Sequence, residues 1–363
     1  MKIMERIVLG RTIYLVAAGA VLLILGVLYT IFGTEASYSP PLETAESSDA
    51  HSPDEIILPV EEPDNSYEIS TVTFGGSCTT GSMLGISAYG TFNGALEENG
   101  TGYFFENLKE IFLTDDFTIA GLDAVLTDRQ LEPAEKDSRE WFSAPASAAG
   151  IFSDGGVDAL SIEFPGTHDY GNEGYSDTEA ALEAAGVYWC DSGRAVYREL
   201  DNGLTVGIYC CKFREEDAEG VKAWIAGAKE KADFIALYVS DADASSVPGE
   251  SKKALLRSYA DAGADLIAGT NGAALQPAEE YNGSYIVYSL GSLIDGAALY
   301  REENTVLLQA ELRARDGELT GVEYRFIPCR TSEAEKTWKP AAITDETLKN
   351  DVLAFMYGEN NNS

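Results

Sequence analysis

The chain has 363 residues, of which 45% are hydrophobic, and a formal net charge of −35 at pH 7. So strong a negative charge disfavours binding to nucleic acid or to an anionic lipid surface, because both partners would be repelled. The five cysteines are scattered and form no CxxC pair, which excludes a disulfide framework and a zinc site of that kind.

The first predicted element is a transmembrane helix at residues 12–33. Thr12–Phe32 carries no charged residue and, at about 1.5 Å per residue, is long enough to cross roughly 30 Å of hydrocarbon. Lys and Arg occur within residues 1–11 and not again until Lys109, so the positive-inside rule predicts a cytoplasmic N-terminus. The alternative is a signal peptide cleaved near Glu35, but the apolar run is longer than such peptides usually have. The sequence therefore predicts a single-pass cell-membrane protein whose remaining part is extracellular.

Three further regions follow the predicted membrane helix. Residues 34–66 are rich in Pro, Ser and acidic side chains and poor in large apolar ones, which predicts an extended linker. Residues 67–330 show no second linker and no repeat, so they are interpreted as one extracytoplasmic domain. Residues 331–363 are interpreted as a C-terminal tail with a short helix.

Strand and helix patterns alternate through the domain, which predicts an α/β architecture. The first strand is Glu68–Phe74, and it leads into a tight loop at Gly75-Gly76. The other strands predicted from apolar runs are Val157–Ile162, Phe234–Val239, Leu266–Ile267 and Tyr285–Leu290. Amphipathic helices are predicted over Glu215–Lys231 and Glu250–Ala262, the second closed by Gly263.

One more helix and two hairpins are predicted from local signals. Ser176 and Glu179 form a capping box, which predicts a helix that starts there and ends at Gly186. Asp201-Asn202-Gly203 and Asp316-Gly317 are turn sequences between strand patterns and predict β-hairpins.

The cysteines leave two interpretations open. Cys210 and Cys211 lie in an apolar run, which favours their burial as small apolar side chains. One oxidised pair outside the cell is the alternative.

Several motifs occur in the order and approximate spacing of a known family. They are the strand Thr71–Phe74 with Gly75-Gly76, the segment Phe117–Asp123, the block from Val157 to Thr178 with Asp169-Tyr170-Gly171, and the series Ala262–Gly269, Leu275–Pro277 and Tyr288–Gly291. Together they resemble the CapA family of poly-γ-glutamate capsule biosynthesis proteins. The resemblance implies a layered α/β/β/α sandwich like that of the calcineurin-type metallophosphoesterases, here preceded by one transmembrane helix.

The metal-ligand positions that the resemblance implies are substituted in this sequence. Ser77 stands in place of the aspartate of a GGD loop, and Gly121 in place of the Asn of an ANLE segment. Phe164-Pro165-Gly166 replaces an Asn-Asn-His block, Tyr238–Asp241 replaces a His-Trp-Gly segment, and Gly269–Ala274 replaces a His-rich loop. The whole chain has two histidines, whereas a two-metal phosphoesterase needs several ligands of that type. No cofactor is therefore predicted, and the member is interpreted as catalytically degenerate.

Six residues are candidates for a vestigial site at the strand ends: Ser77, Asp123, His168, Asp169, Asp241 and Asn271. One alternative has His168 as a general base for Ser77 or Cys78. Another has Asp123, Asp169 and Asp241 binding a divalent cation such as Ca²⁺ through oxygen ligands.

Three hypotheses about function remain at this point. The first is a non-catalytic, membrane-anchored protein that acts in the synthesis, export or attachment of a capsule or other envelope polymer, with the polymer or the capsule machinery as partner. The second is an active hydrolase or transferase that acts on such a polymer with a rearranged carboxylate and histidine site. The third is a purely structural envelope protein.

Overall fold

The structure is a computed structural model that describes residues 67–85, 90–135, 140–242, 245–270, 274–296, 304–334 and 337–359. The predicted membrane helix at residues 12–33, its cytoplasmic flank and the linker at 34–66 lie outside the described residues. Within the described part, no helix is both long and apolar enough to cross a membrane.

The described residues form seventeen strands and seven α-helices. The strands are β1 Glu68–Thr79, β2 Ser82–Met83, β3 Phe117–Leu122, β4 Val125–Leu126, β5 Phe142–Ala144, β6 Ala159–Ser161, β7 Tyr188–Cys190, β8 Val196–Glu199, β9 Thr205–Lys212, β10 Phe234–Ser240, β11 Leu266–Thr270, β12 Leu275–Tyr281, β13 Ser284–Leu290, β14 Ser292–Asp295, β15 Asn304–Arg315, β16 Glu318–Arg330 and β17 Ala341–Ala342. The helices are α1 Phe92–Asn99, α2 Lys109–Thr114, α3 Gly150–Gly155, α4 Gly171–Ala185, α5 Ala218–Ala228, α6 Glu250–Ala262 and α7 Glu346–Met356.

Two large mixed sheets form the frame of the domain. The first has the order β17-β16-β15-β1-β3-β6-β7, and β14 also pairs with β1. The second has the order β12-β13-β11-β10-β9-β8. Strands β1, β3, β6 and β7 are parallel to one another in the first sheet, and β9, β10, β11 and β13 are parallel in the second. Parallel strands end at one edge of a sheet, so each sheet has one edge rich in loops.

The apolar core is divided into layers that place the helices outside the two sheets. Side chains from β1 and β3 pack with side chains from β9, β10 and β11 in a core between the sheets. Helices α1 to α4 contribute to a second core on the outer face of the first sheet. Helices α5 and α6 form a third core with the outer face of the second sheet. This order of layers is the α/β/β/α arrangement expected from the sequence. In residues 331–359, helix α7 adds Val352 and Met356 to the core between the sheets.

Most predicted elements are confirmed, but one helix start is wrong. Both predicted hairpins form, and in the second one Asp316 and Gly317 have φ values of 55° and 78°. Helix α4 begins at Gly171 rather than at the capping box, so Ser176 lies inside it. The added first turn contacts the small β2-β5-β4 sheet, since Gly174 packs so closely on Val125 of β4 that a Cβ on Gly174 would lie 3.0 Å from the Val125 side chain.

Each of the two interpretations drawn from the sequence applies to a different cysteine of β9. Cys190 of β7 and Cys210 of β9 form a disulfide that links the first sheet to the second. Cys211 is a buried free thiol whose side chain belongs to the core on the other face of β9. The cross-link therefore joins β7, the edge strand of the first sheet, to β9, which lies next to the edge strand β8 of the second sheet.

A buried carboxyl at the opposite end of the first sheet should make stability depend on pH. Asp115 accepts a hydrogen bond from the Thr118 hydroxyl at 2.6 Å, yet burial raises the pKa of Asp115 to about 7. The folded protein thus holds this proton up to a higher pH than the unfolded chain, whose Asp has a pKa near 3.9, and stability falls as pH rises between these values. Between pH 5 and pH 7 this titration should lower the free energy of unfolding by about 2 kcal/mol, and we expect Asp115→Asn to remove that decrease.

Urea unfolding of the variant and the wild type across this pH range measures the effect. Asp316→Asn, at an exposed turn residue whose charge is not among those that act on Asp115, is the matched control and should keep the wild-type slope. Equal slopes for wild type and Asp115→Asn would contradict the assignment.

Candidate functional site

The loop-rich edges of the two sheets meet at the ends of β1, β6 and β10. The Tyr238 hydroxyl donates a hydrogen bond to the Gly75 carbonyl at 2.8 Å. The Ser240 hydroxyl donates to the Glu163 carbonyl, which follows β6. These bonds cross from one sheet to the other, so the strand ends of both sheets share one site, which is called the strand-end site below.

Two aromatic side chains fill the centre of the strand-end site. Phe164 is 2% exposed and Tyr238 is fully buried, with ring centroids 6.3 Å apart and ring planes at 61°. A Cβ atom added to Gly121 would lie 2.4 Å from the Phe164 ring and 2.9 Å from the Tyr238 hydroxyl oxygen. Position 121 therefore has room only for glycine. Phe164 and Tyr238 together are called the aromatic plug.

The β1 end of the site carries hydroxyls where a metal centre would need charged ligands. Ser77 is buried, and its hydroxyl lies 3.4 Å from the Ser292 hydroxyl. Its amide donates to the Gly291 carbonyl at 3.2 Å, and a Cβ on Gly76 would lie 2.1 Å from the same oxygen. The glycine at position 76 thus allows β1 to approach the end of β13 closely.

Asp123 and Asp169 stabilise the backbone around a short 3₁₀ turn, Gly166–His168. The Asp123 carboxylate accepts a hydrogen bond from the Gly166 amide at 2.7 Å. Asp169 is 2% exposed, and its carboxylate accepts from the Phe142 amide at 3.1 Å. These contacts orient the turn that follows the aromatic plug, which is a structural use of both carboxylates.

His168 lies on the surface of this turn. Its ring stacks on Tyr175 at 4.7 Å between centroids, and the Tyr175 hydroxyl donates to Asp191 at 2.6 Å. The nearby Lys212 ammonium forms an ion pair with Glu163 at 3.2 Å. Partial burial of the ring, followed by the charge of Lys212, lowers the pKa of His168. This shift favours the neutral imidazole.

Asp241 belongs to a buried ion pair at the end of β10. Its carboxylate lies 3.0 Å from the Lys252 ammonium of α6, and that lysine is 3% exposed. Lys252 also donates to the Gln276 side chain at 2.8 Å. The Gln276 amide in turn donates to the Ser245 carbonyl at 2.7 Å, so the network ties the loop after β10 to β12.

The structure brings some of the predicted site residues together and separates others. Ser77 pairs with Gly121 in the sheet, two residues before Asp123, and Asp123 contacts the turn that carries His168 and Asp169. Asp241 directly follows β10 of the second sheet and pairs with Lys252 of α6, and Asn271 is outside the described residues.

Among the described residues of the strand-end site, the candidate donor groups are hydroxyls and carboxylates that already contact the protein. In the described ranges, no three His, Cys, Asp or Glu side chains are placed to hold a metal ion. The aromatic plug fills the space beside Gly121, and the three candidate carboxylates contact the Gly166 amide, the Phe142 amide and the Lys252 ammonium.

Replacing Gly121 tests how tightly the plug is packed. We expect Gly121→Ala to lower the free energy of unfolding by about 1–3 kcal/mol, because the new methyl group overlaps the Phe164 ring. Chemical denaturation measures the change. Gly220→Ala, at a helical glycine with open space, is the control and should be neutral or stabilising. Equal effects of the two substitutions would contradict the packing.

The fold and the site define a two-sheet α/β protein with loops converging at one edge. The family model for "Bacterial capsule synthesis protein PGA_cap" matches residues 194–297. The chain is similar to the "PGA biosynthesis protein CapA" of Bacillus subtilis (strain 168), with 24% identity over 71% of each chain. It is also similar to the "Capsule biosynthesis protein CapA" of Bacillus anthracis, with 22% identity over 70% of this chain and 66% of that protein. These matches make the chain similar to capsule biosynthesis proteins of the CapA kind.

Two solved structures are also similar to this chain. One is a hypothetical protein from Thermus thermophilus, with 14% identity, a TM-score of 0.44, and coverage of 71% of this chain and 99% of that one. The other is described as a novel phosphatase from Mycoplasma pneumoniae, with 10% identity, a TM-score of 0.45, and coverage of 72% and 95%.

Proposed function

We propose that this chain is a membrane-anchored, extracytoplasmic CapA-family protein that has a metallophosphoesterase-like fold without its metal catalysis. It acts as a binding or scaffolding component in the synthesis, export or attachment of poly-γ-glutamate or another envelope polymer. Its partners are that polymer or proteins of the capsule machinery, and its contact with the membrane is made by the segment at residues 12–33 that the sequence predicts to be a transmembrane helix.

The aromatic plug is the observation that carries the proposal of lost catalysis. A metal-assisted hydrolase needs an open position in which a metal ion and water meet the substrate. Here Phe164 and Tyr238 leave a Cβ on Gly121 no space, and Ser77 offers a hydroxyl in place of a carboxylate. Restoring the family's Asn at position 121 would require the plug to move.

The disulfide supports the proposed location. Disulfides persist in oxidising compartments and are rare in the cytosol. Cys190 and Cys210 are bonded across the two sheets, as expected of a domain that folds outside the cytoplasm. The charge pattern around Thr12–Phe32 favours the same topology.

An activity assay tests the proposal. The full-length protein, purified in detergent, is incubated with phosphodiester and γ-glutamyl amide substrates, with and without added Mn²⁺. We expect no turnover in either case, while the envelope polymer phenotype of a deletion strain is restored by the same protein. Metal-dependent turnover that is lost in Ser77→Ala would overturn the proposal.

One feature favours the hydrolase as a second candidate. His168 is exposed and neutral beside the Lys212–Glu163 ion pair, a setting in which it could act as a base. If the chain is a hydrolase, His168→Ala should abolish polymer cleavage and alter the envelope polymer phenotype. The non-catalytic proposal expects that phenotype to be unchanged. His51→Ala, in the predicted linker, is the matched control.

A further inference from the structure

A pocket of about 430 Å³ opens beside helix α1, at residues that are not part of the strand-end site. Its volume is in the range of pockets that take small organic ligands. Leu96 and Pro145 form apolar parts of its wall. Asn93, Glu97, Thr101 and Ser147 supply the polar parts.

Two donors on the pocket wall are already engaged by the protein. The Asn93 side-chain NH₂ donates to the Ser143 carbonyl at 3.0 Å. The Thr101 hydroxyl donates to the Asp154 carboxylate. A ligand that needs hydrogen-bond donors would therefore find few of them here.

The hydrogen-bond acceptors of the pocket wall, by contrast, are not engaged in the same way. Within the described residues, the buried Asn93 side-chain carbonyl oxygen has no hydrogen-bond partner, so its negative partial charge beside the pocket is not offset by a donor. Glu97 is exposed at the pocket and has no ion pair with a described residue. The net charge of −35 also raises the local concentration of cations.

We propose that this pocket binds an organic cation, namely a protonated primary amine on a short apolar chain. The ammonium group pairs with the exposed Glu97 carboxylate near the Asn93 carbonyl, and the chain lies against Leu96 and Pro145. This site is independent of the proposed function, because it shares no residue with the strand-end site.

Calorimetric titration of the detergent-purified full-length protein with n-butylamine at neutral pH tests the site. We expect saturable binding to the wild type and about fivefold weaker binding to Glu97→Gln, the factor that one exposed ion pair can supply. The control Glu98→Gln removes the same charge one residue away, outside the pocket lining, and should bind like the wild type. n-Butanol, with the same chain and no charge, should not bind.

A pocket-filling variant provides a second measurement. Ser147→Trp should abolish butylamine binding while its thermal melt stays close to that of the wild type, since position 147 is exposed; Ser147→Ala should bind normally. The proposal is overturned if the wild type shows no saturable binding, if Glu97→Gln and Glu98→Gln weaken binding equally, or if Ser147→Trp still binds.

Discussion

Replacing Lys252 with methionine is expected to lower the free energy of unfolding by about 3–5 kcal/mol, the usual result when one partner of a buried ion pair is removed. The ammonium lies 3.0 Å from Asp241 and 2.8 Å from the Gln276 side chain, and the lysine is 3% exposed. Methionine preserves the apolar stem but leaves the Asp241 carboxylate buried without its counter-charge. Urea unfolding monitored by tryptophan fluorescence measures the difference.

The neighbouring lysine offers a matched control for this substitution. Lys253 pairs with Glu250 at 2.9 Å on the surface of the same helix, so Lys253→Met should cost less than about 1 kcal/mol. Adding Asp241→Asn to Lys252→Met should recover part of the loss, since the uncompensated charge is then removed. Similar costs for the two lysine substitutions would show that the buried pair is not important for stability.

Removing the disulfide is expected to cost about 3 kcal/mol, from the chain entropy of a loop with a sequence separation of 20 residues. The Cys190→Ala/Cys210→Ala double variant should therefore unfold at lower urea concentration than the wild type. The wild type in reducing buffer should lose a similar amount of stability.

Cys211→Ala distinguishes the loss of the disulfide from a general effect of the reductant on stability. Cys211 is a buried free thiol on the opposite face of β9, so this variant should remain as sensitive to reductant as the wild type. The double variant should be insensitive. If reductant destabilised the double variant as much as the wild type, the Cys190–Cys210 link would be refuted.

Local sequence signals predicted turns and helix ends correctly where the backbone conformation of a few residues determines them. Asp316-Gly317 formed the predicted turn, and Gly263 ended α6 with a φ of 104°. The start of α4 was missed because the helix begins at Gly171, before the capping signal at Ser176, where Gly174 packs on Val125 of the small sheet. Helix starts that depend on tertiary contacts carry no such local signature.

The candidate site was predicted in part. The substitutions at Ser77 and Gly121 were visible from the family resemblance, but the role of Phe164 and Tyr238 depends on two sheets approaching each other, which no local pattern shows. Lys252 did carry a signal, because it lies on the same helical face as Leu256 and Tyr259, where a charge implies a buried partner. Asp123 and Asp169 were candidates because of their charge, and their contacts with backbone amides follow only from the folded turn.

We propose that the strand-end site holds no catalytic metal. The most direct test is the metal content of the full-length protein, purified in detergent, incubated with Mn²⁺ and Zn²⁺, and then dialysed before elemental analysis. The packing of Phe164 and Tyr238 against Gly121 predicts a substoichiometric amount of metal, equal in the wild type and in Ser77→Ala. Retention of about one or two ions per chain, lost on substitution of Ser77 or Asp123, would contradict the claim.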